Sequence, residues 1–159
     1  MPAAGPRRLI IRTDGAARGN PGPASAGAVL IDGDLPDALS PSATPLATIS
    51  EYLGTQTNNV AEYTGVVRAL EVATELGARD VRLLLDSMLI VEQLNGRWKV
   101  RDAKLAVLND QARRLLAGFP HWTAVHVRRA FNSAADALAN EAIDRVQSGG
   151  PASVVRRPI

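Results

Sequence analysis

Cysteine is absent from the 159 residues, which excludes disulfides and thiolate metal sites. Histidine is nearly as scarce. His121 and His126 are the only two, so a zinc site would have to lean on carboxylates. Any metal chemistry therefore runs through oxygen ligands, which points to magnesium, manganese or calcium. No run of about 18 apolar residues occurs, which argues against a membrane-spanning helix. Met1 to Arg8 lack the apolar core of a secretory signal, and a cytoplasmic location away from membranes is expected. A large excess of charge is also missing. The formal net charge is +2, too small by itself to establish nucleic-acid binding. Lysine occurs only as Lys99 and Lys104, so the cations are nearly all arginine. Arginine suits phosphate recognition, although the base composition of a gene can produce the same bias.

What charge there is clusters. Arg97, Lys99, Arg101 and Lys104 lie within eight residues, and Arg128 and Arg129 form a second pair. Such clusters are commonly solvated faces, and they acquire meaning only beside other features.

With 46% hydrophobic residues and this length, the chain suits one globular domain, expected over residues 9–146. Residues 1–8 read as a flexible N-terminus. The Gly/Pro/Arg-rich stretch 147–159 reads as a disordered tail. Leu9–Thr13 (LIIRT) predicts a strand ending at Asp14-Gly15, and Gly15–Pro23 predicts a turn. Strands follow at Ala26–Ile31 and Thr48–Thr55. Asn58 or Asn59 is a candidate cap for a helix that ends at Gly77. Val81–Leu85 (VRLLL) is nearly all apolar, as a strand buried on both faces would be. Ser87–Leu94 and Ala103–Ala117 predict helices, Thr123–Val127 a fifth strand, and Ser133–Val146 a final amphipathic helix. The order β-β-β-α-β-α-α-β-α implies a mixed sheet flanked by helices, whose chemistry gathers at the carboxyl ends of parallel strands.

Four acids fall near such ends, each with an ordinary explanation. Asp14 opens an Asp-Gly turn. Glu62 stands three residues after Asn59, and Asp136 three after Ser133, the spacing of a capping box. Asp86 precedes Ser87 where a strand meets a helix. Together they imply more. Glu62 continues the apolar stripe of Val66 and Ala69 and so faces the sheet, towards the strand of Asp14. Carboxylates converging on one edge repel each other and have raised pKa values unless cations neutralise them. Phosphodiester cleavage by two divalent ions about 3.5–4 Å apart rewards that arrangement.

Four segments carry a closer likeness: TDGAARGNPGPASAGAVL (Thr13–Leu30), TNNVAEYTGVVRAL (Thr57–Leu70), LLDSMLIVEQLNGRWKV (Leu84–Val100) and FNSAADALANEA (Phe131–Ala142). In these, and in their order, the chain resembles the type 1 ribonuclease H family, in a subgroup lacking the basic protrusion. The resemblance implies the α/β ribonuclease H-like fold, with a five-stranded mixed sheet of order 3-2-1-4-5. It implies an endoribonuclease that hydrolyses the RNA strand of RNA–DNA hybrids to 5′-phosphate and 3′-hydroxyl ends. Asp14, Glu62, Asp86 and Asp136 match the metal-binding acids, for two Mg2+ ions with Mn2+ as a substitute. Asn20 and Asn58 match residues that read the hybrid's minor groove, with Gly15 beside them. Thr57 matches part of a pocket for a DNA phosphate, and Trp98 an aromatic set against DNA sugars. Lys99 and Arg101 join the substrate contacts. No obligate protein partner is implied, and a monomer is expected.

Three departures from the family pattern matter. Asn95 to Lys104 leaves no room for the long basic insertion other members use as a substrate handle, so hybrid affinity is expected either to be weaker or to rest directly on Arg97, Lys99, Arg101 and Lys104. The loop VRRAFNSAAD has no histidine, and Arg129 is aligned with the loop position, with Arg128 and His126 as alternatives. Met88 replaces a commonly polar residue. Rival readings are a hybrid-binding module without catalysis and another nuclease of the superfamily, such as a Holliday-junction nuclease or a transposase-like domain.

Overall fold

Strand β1 (Arg8–Ala17) is buried from Leu9 through Asp14, because both of its faces and both of its edges are covered. It lies at the centre of a sheet seen in a computed structural model that describes residues 6–157. Its partners are β2 (Gly22–Asp32), antiparallel, and β4 (Asp80–Leu85), parallel. Beyond these lie β3 (Ala47–Gln56) and β5 (His121–His126). Alternation along β1 sends Leu9 and Ile11 to one face and Ile10 to the other. The first face meets α1 (Asn58–Glu75), α2 (Met88–Leu94) and α3 (Ala103–Ala117) across a core that includes Tyr63, Leu70 and Leu83. The second meets α4 (Ser133–Gln147) across a smaller cluster with Val29, Ile31 and Leu84. No helix of the described residues is long and apolar enough to cross a membrane.

Small residues set how closely α4 approaches. A methyl on Gly27 would run into the backbone of Ala135 and Ala139. Ser25 Oγ donates to the Ala139 carbonyl, and Ser50 Oγ donates to that of Leu138 at 2.6 Å. This contact fixes the height of Asp136 over the sheet.

The α/β architecture and the strand order around β1 agree with the expectation, but the sheet has six strands rather than five. Its order is β5-β4-β1-β2-β3-β6. The sixth, β6 (Ser153–Arg156), comes from the stretch read as a disordered tail, and it pairs antiparallel with Thr48–Glu51. The domain therefore runs past residue 146. The outer edge of β3 presents unpaired backbone groups, and β6 satisfies them. Val155 also packs on the core beneath α1. Arg145 secures the return of the chain, donating to Pro151 O at 2.6 Å and Ser50 O at 2.8 Å. Glycine and proline around the strand hid its four residues from composition. Removing residues 151–159 exposes the β3 edge and takes the Pro151 and Ala152 carbonyls from the Arg145 guanidinium, which keeps Ser50. It is expected to lower Tm by about 5–10 °C in calorimetry, from about 2–3 kcal/mol of lost bonding and burial. An unchanged Tm would mean that β6 adds nothing to the domain.

Most of the N-terminal segment, residues 1–5, lies outside the described residues, while Arg8 already pairs in β1. The cap of α1 is Thr57, not Asn58 or Asn59: its Oγ1 accepts from Val60 N–H. Glu62 thus makes no capping box. Ser133 is the first residue of α4 and not its cap, so Asp136 makes none either. Gly77 has φ +75° at the end of α1, as its position predicts.

Candidate active site

The pairing of β1 with β4 stops at Thr13↔Leu85, whereas its pairing with β2 continues to Ala17↔Ala24. The two parallel strands part at the next residues, Asp14 and Asp86. Their carboxylates therefore share the crevice beyond the carboxyl ends of the strands. Asp14 does not end its strand, as the Asp-Gly pair suggested, because β2 holds the chain extended for three more residues.

Helix α1 carries Glu62 into the same crevice, and Gly15 permits the approach. A Cβ at Gly15 would lie 2.5 Å from Glu62 N and 2.8 Å from the Ala61 carbonyl carbon. One carboxylate oxygen from each of Asp14, Glu62 and Asp86 lies within 4.8 Å of the others. Asp136, in the first turn of α4, stands outside this tight trio. Its charge still pushes up the pKa of both Asp14 and Asp86.

Crowding and burial together shift these acids. Burial first, then the charges of Asp86, Glu62 and Asp136, push Asp14 up to about 8. The Gly15 N–H, donating to Asp14 Oδ1 at 2.9 Å, pulls the other way. Burial and Asp86 push Glu62 up to about 7, against the pull of a Ser87 hydrogen bond and the Arg129 guanidinium. Burial also raises Asp86, and Arg129 and His126 oppose it. The other oxygen of Asp14, Oδ2, is buried without a hydrogen-bond partner. A buried acceptor left unpaired is costly and uncommon in native proteins. Hard oxygen donors, like charge and an unpartnered acceptor all fit a divalent cation of the magnesium or manganese kind.

Two residues that sequence reasoning gave no site role hold the crevice in shape. Asn132 is fully buried, and its Nδ2 donates to Thr13 O at 3.2 Å and Leu84 O at 3.1 Å. It thereby ties β1 to β4 just before the two aspartates. Arg12, 2% exposed, donates to Phe131 O at 3.0 Å and Leu39 O at 2.9 Å. It locks the 3-10 turn Arg129–Asn132 that leads into α4. The signal for Arg12 in the sequence was a charge directly after the apolar Leu9–Ile11 of the predicted strand.

The remaining candidates fall into two groups. Asn20 Oδ1 accepts from Asn58 N–H at 3.1 Å, so the turn before β2 and the start of α1 are joined. Asn20 and Thr57 line an open cavity of about 550 Å3 together with Asn59, Asp102 and Lys104. On the connection between α2 and α3, Trp98 is 48% exposed, and Lys99 and Arg101 make no ion pair among the described residues. Arg97 differs from that expectation, since Glu92 neutralises it through two guanidinium contacts at 2.5 and 2.9 Å. Met88 is exposed. Arg128 is exposed at the cap of the 3-10 turn. His126, the last residue of β5, and Arg129 both act on Asp86.

Because Gly15 sets the distance between β1 and α1, Gly15→Ala is expected to weaken divalent-ion affinity at least about tenfold while leaving the far-UV circular dichroism intact. Isothermal titration with Mn2+ measures this. Wild-type affinity in the variant would show that α1 can retreat without cost to the site.

Comparison with known proteins gives a consistent picture. The family model described as "Reverse transcriptase-like" matches residues 12–142. Ribonuclease HI of Halobacterium salinarum is 46% identical over 131 residues, covering 82% of this chain and 62% of that protein. A bifunctional protein of Mycobacterium tuberculosis is 44% identical over 137 residues, covering 86% of this chain and 36% of that protein. The chain thus spans 62% and 36% of the lengths of these two relatives. Among solved structures, LC11-RNase H1 in complex with an RNA/DNA hybrid superposes with a TM-score of 0.78 at 38% identity, covering 87% of this chain and 99% of that one.

Proposed function

The chain belongs to the type 1 ribonuclease H family, and on that premise we propose that it is an endonuclease hydrolysing the RNA strand of RNA–DNA hybrids. The products are 5′-phosphate and 3′-hydroxyl ends. The observation that carries this reading is the trio Asp14, Glu62 and Asp86 at the parting of β1 and β4, with Asp14 Oδ2 unpartnered.

Asp14, Glu62 and Asp86 would hold divalent ions, with Asp136 adding its charge from α4. When bound, two such ions, Mg2+ with Mn2+ as a possible substitute, would lower the pKa of an attacking water and neutralise charge on the departing oxygen. The protein's own part is to hold its acids ready. Gly15 N–H fixes one oxygen of Asp14 and leaves the other free. Arg129, whose charge reaches Glu62 and Asp86, grips the scissile phosphate in this reading. A guanidinium is a poor general base, so its part in this reading is to hold charge rather than to move a proton.

Strand choice requires both strands to be read. A-form-like duplexes display 2′-hydroxyls in a wide minor groove, where the joined Asn20 and Asn58 supply polar contacts. Thr57 lies on the cavity shared with Lys104, which suits a phosphate of the DNA strand. Exposed Trp98 suits stacking on a sugar, and Lys99 and Arg101 suit backbone phosphates. The chain acts as a monomer in this proposal.

A panel of RNA–DNA, RNA–RNA and single-stranded RNA substrates, each with Mg2+ and with Mn2+, tests the function. Efficient cleavage is expected for the hybrid, and no hybrid cleavage with either metal would overturn the proposal. Turnover of Arg129→Ala is expected to fall by about a hundredfold, and that of His126→Ala by less than about threefold. A large loss in the His126 variant alone would move the loop role to the end of β5.

A further inference from the structure

Three buried polar side chains, one from each helix on the same face of the sheet, form a directed chain inside the apolar core. Tyr63 is fully buried on α1, Gln93 is 4% exposed on α2, and Asn109 is 8% exposed on α3. Asn109 Nδ2 donates to Tyr63 Oη at 3.3 Å, and Tyr63 Oη donates to Gln93 Oε1 at 2.6 Å. Gln93 Nε2 then donates to Lys99 O at 3.2 Å. The direction is forced from the far end. A main-chain carbonyl can only accept, so Nε2 must face Lys99 and Oε1 must face the tyrosine, which must donate.

The end of this chain is a loop, not a helix. Asn95 to Asp102 connects α2 to α3 without regular structure. Its first part is tied back to α2, where Arg97 N and Trp98 N both donate to Glu92 O. Its last residue, Asp102, caps α3. Between these anchors, Gln93 is the side chain that holds the backbone at Lys99. Lys99, between these anchors, therefore takes its backbone position from the network, with exposed Trp98 before it and Arg101 two residues on, and neither cation makes an ion pair among the described residues. Tyr63 also directly follows Glu62 in α1. The loop is thus keyed to the same helix that carries a candidate metal ligand.

Apolar residues of similar size would fill the same volume without requiring three matched hydrogen bonds, whereas a satisfied polar network specifies one geometry. We infer that Tyr63, Gln93 and Asn109 are positioning residues, holding the loop of Trp98, Lys99 and Arg101 as the nucleic-acid handle in register with the carboxylate crevice. This inference rests on the hybrid-cleaving function proposed above.

Steady-state cleavage of a labelled RNA–DNA hybrid, at several salt concentrations and with Tm recorded in parallel, tests it. The variants are Tyr63→Phe, Gln93→Met, the pair Lys99→Ala/Arg101→Ala, and Tyr63→Phe combined with that pair. Tyr63→Phe and Gln93→Met are each expected to raise KM about fivefold with kcat within about twofold of wild type. In both, the dependence of KM on salt becomes shallower. Tyr63→Phe is expected to add nothing to KM once both cations are gone. A lowered Tm with unchanged KM, or an effect on KM that adds fully to that of the cation pair, would make the network purely structural and overturn the inference. If the cation pair itself left KM and its salt dependence unchanged, the handle would be lost, and the inference with it. Absence of hybrid cleavage by the wild-type protein would instead remove the underlying function.

Discussion

Replacing Asp14 by asparagine is expected to abolish hybrid cleavage, with kcat reduced at least about a thousandfold, while making the metal-free protein more stable. The two effects share one cause. Asp14 is 3% exposed, its Oδ2 has no partner, and three neighbouring acids act on it. The charge is a liability to the fold and is useful only with cations present. An asparagine of the same shape removes the charge, so a gain of about 1–3 kcal/mol and a Tm rise of roughly 5 °C are expected in calorimetry with chelator. Divalent ions should stabilise the variant much less than the wild type. A variant that lost activity and stability together would mean that Asp14 is held by contacts the fold requires.

The second large effect is a metal-free stability that falls as pH rises, opposed by a stabilisation by metal that grows. The folded-state pKa of Asp14 is raised from 3.8 to about 8, and that of Glu62 from 4.5 to about 7. As pH rises from about 4 towards 8, the unfolded chain releases these protons before the folded chain does. The native state then holds more protons than the unfolded state, and its stability falls with rising pH. The contribution is fully present below the unfolded values and is lost as pH passes through the folded ones. Divalent ions bind the deprotonated acids, so the Tm increase they produce is expected to be larger at pH 8 than at pH 5. Calorimetry with chelator and with Mg2+ at both pH values measures this, and Asp14→Asn should flatten the metal-free slope. A metal effect that is larger at pH 5 would contradict the carboxylate cluster.

Features with a short-range signature were legible in the sequence. Apolar runs marked β1 and β4, Gly77 marked the end of α1, and the four motifs carried the acids. Long-range pairing was not legible in the same way. The strand β6 exists because β3 has a free edge, and four residues between glycine, proline and arginine do not announce that edge. The reach of β1 beyond Asp14 depends on β2 alone and is invisible in an Asp-Gly pair. Asn132 and Arg12 act through backbone carbonyls of distant segments, and a carbonyl leaves no trace in residue identity. The capping-box spacings of Glu62 and Asp136 pointed to helix ends, whereas Thr57 caps α1 and Glu62 turns into the crevice. Arg97 belonged to a basic cluster on paper but is neutralised by Glu92, which leaves Lys99, Arg101 and Lys104 as the other cations of that cluster.

Cleavage of one RNA–DNA hybrid labelled on both strands, with Mg2+ and then with excess chelator, decides whether the carboxylate crevice is a metal-dependent ribonuclease site. The RNA label alone is expected to be converted to short products carrying 5′-phosphates, chelator is expected to stop the reaction, and Asp14→Asn is expected to give none. Cleavage of the DNA strand, or RNA cleavage that survives chelation or the loss of Asp14, would contradict that assignment.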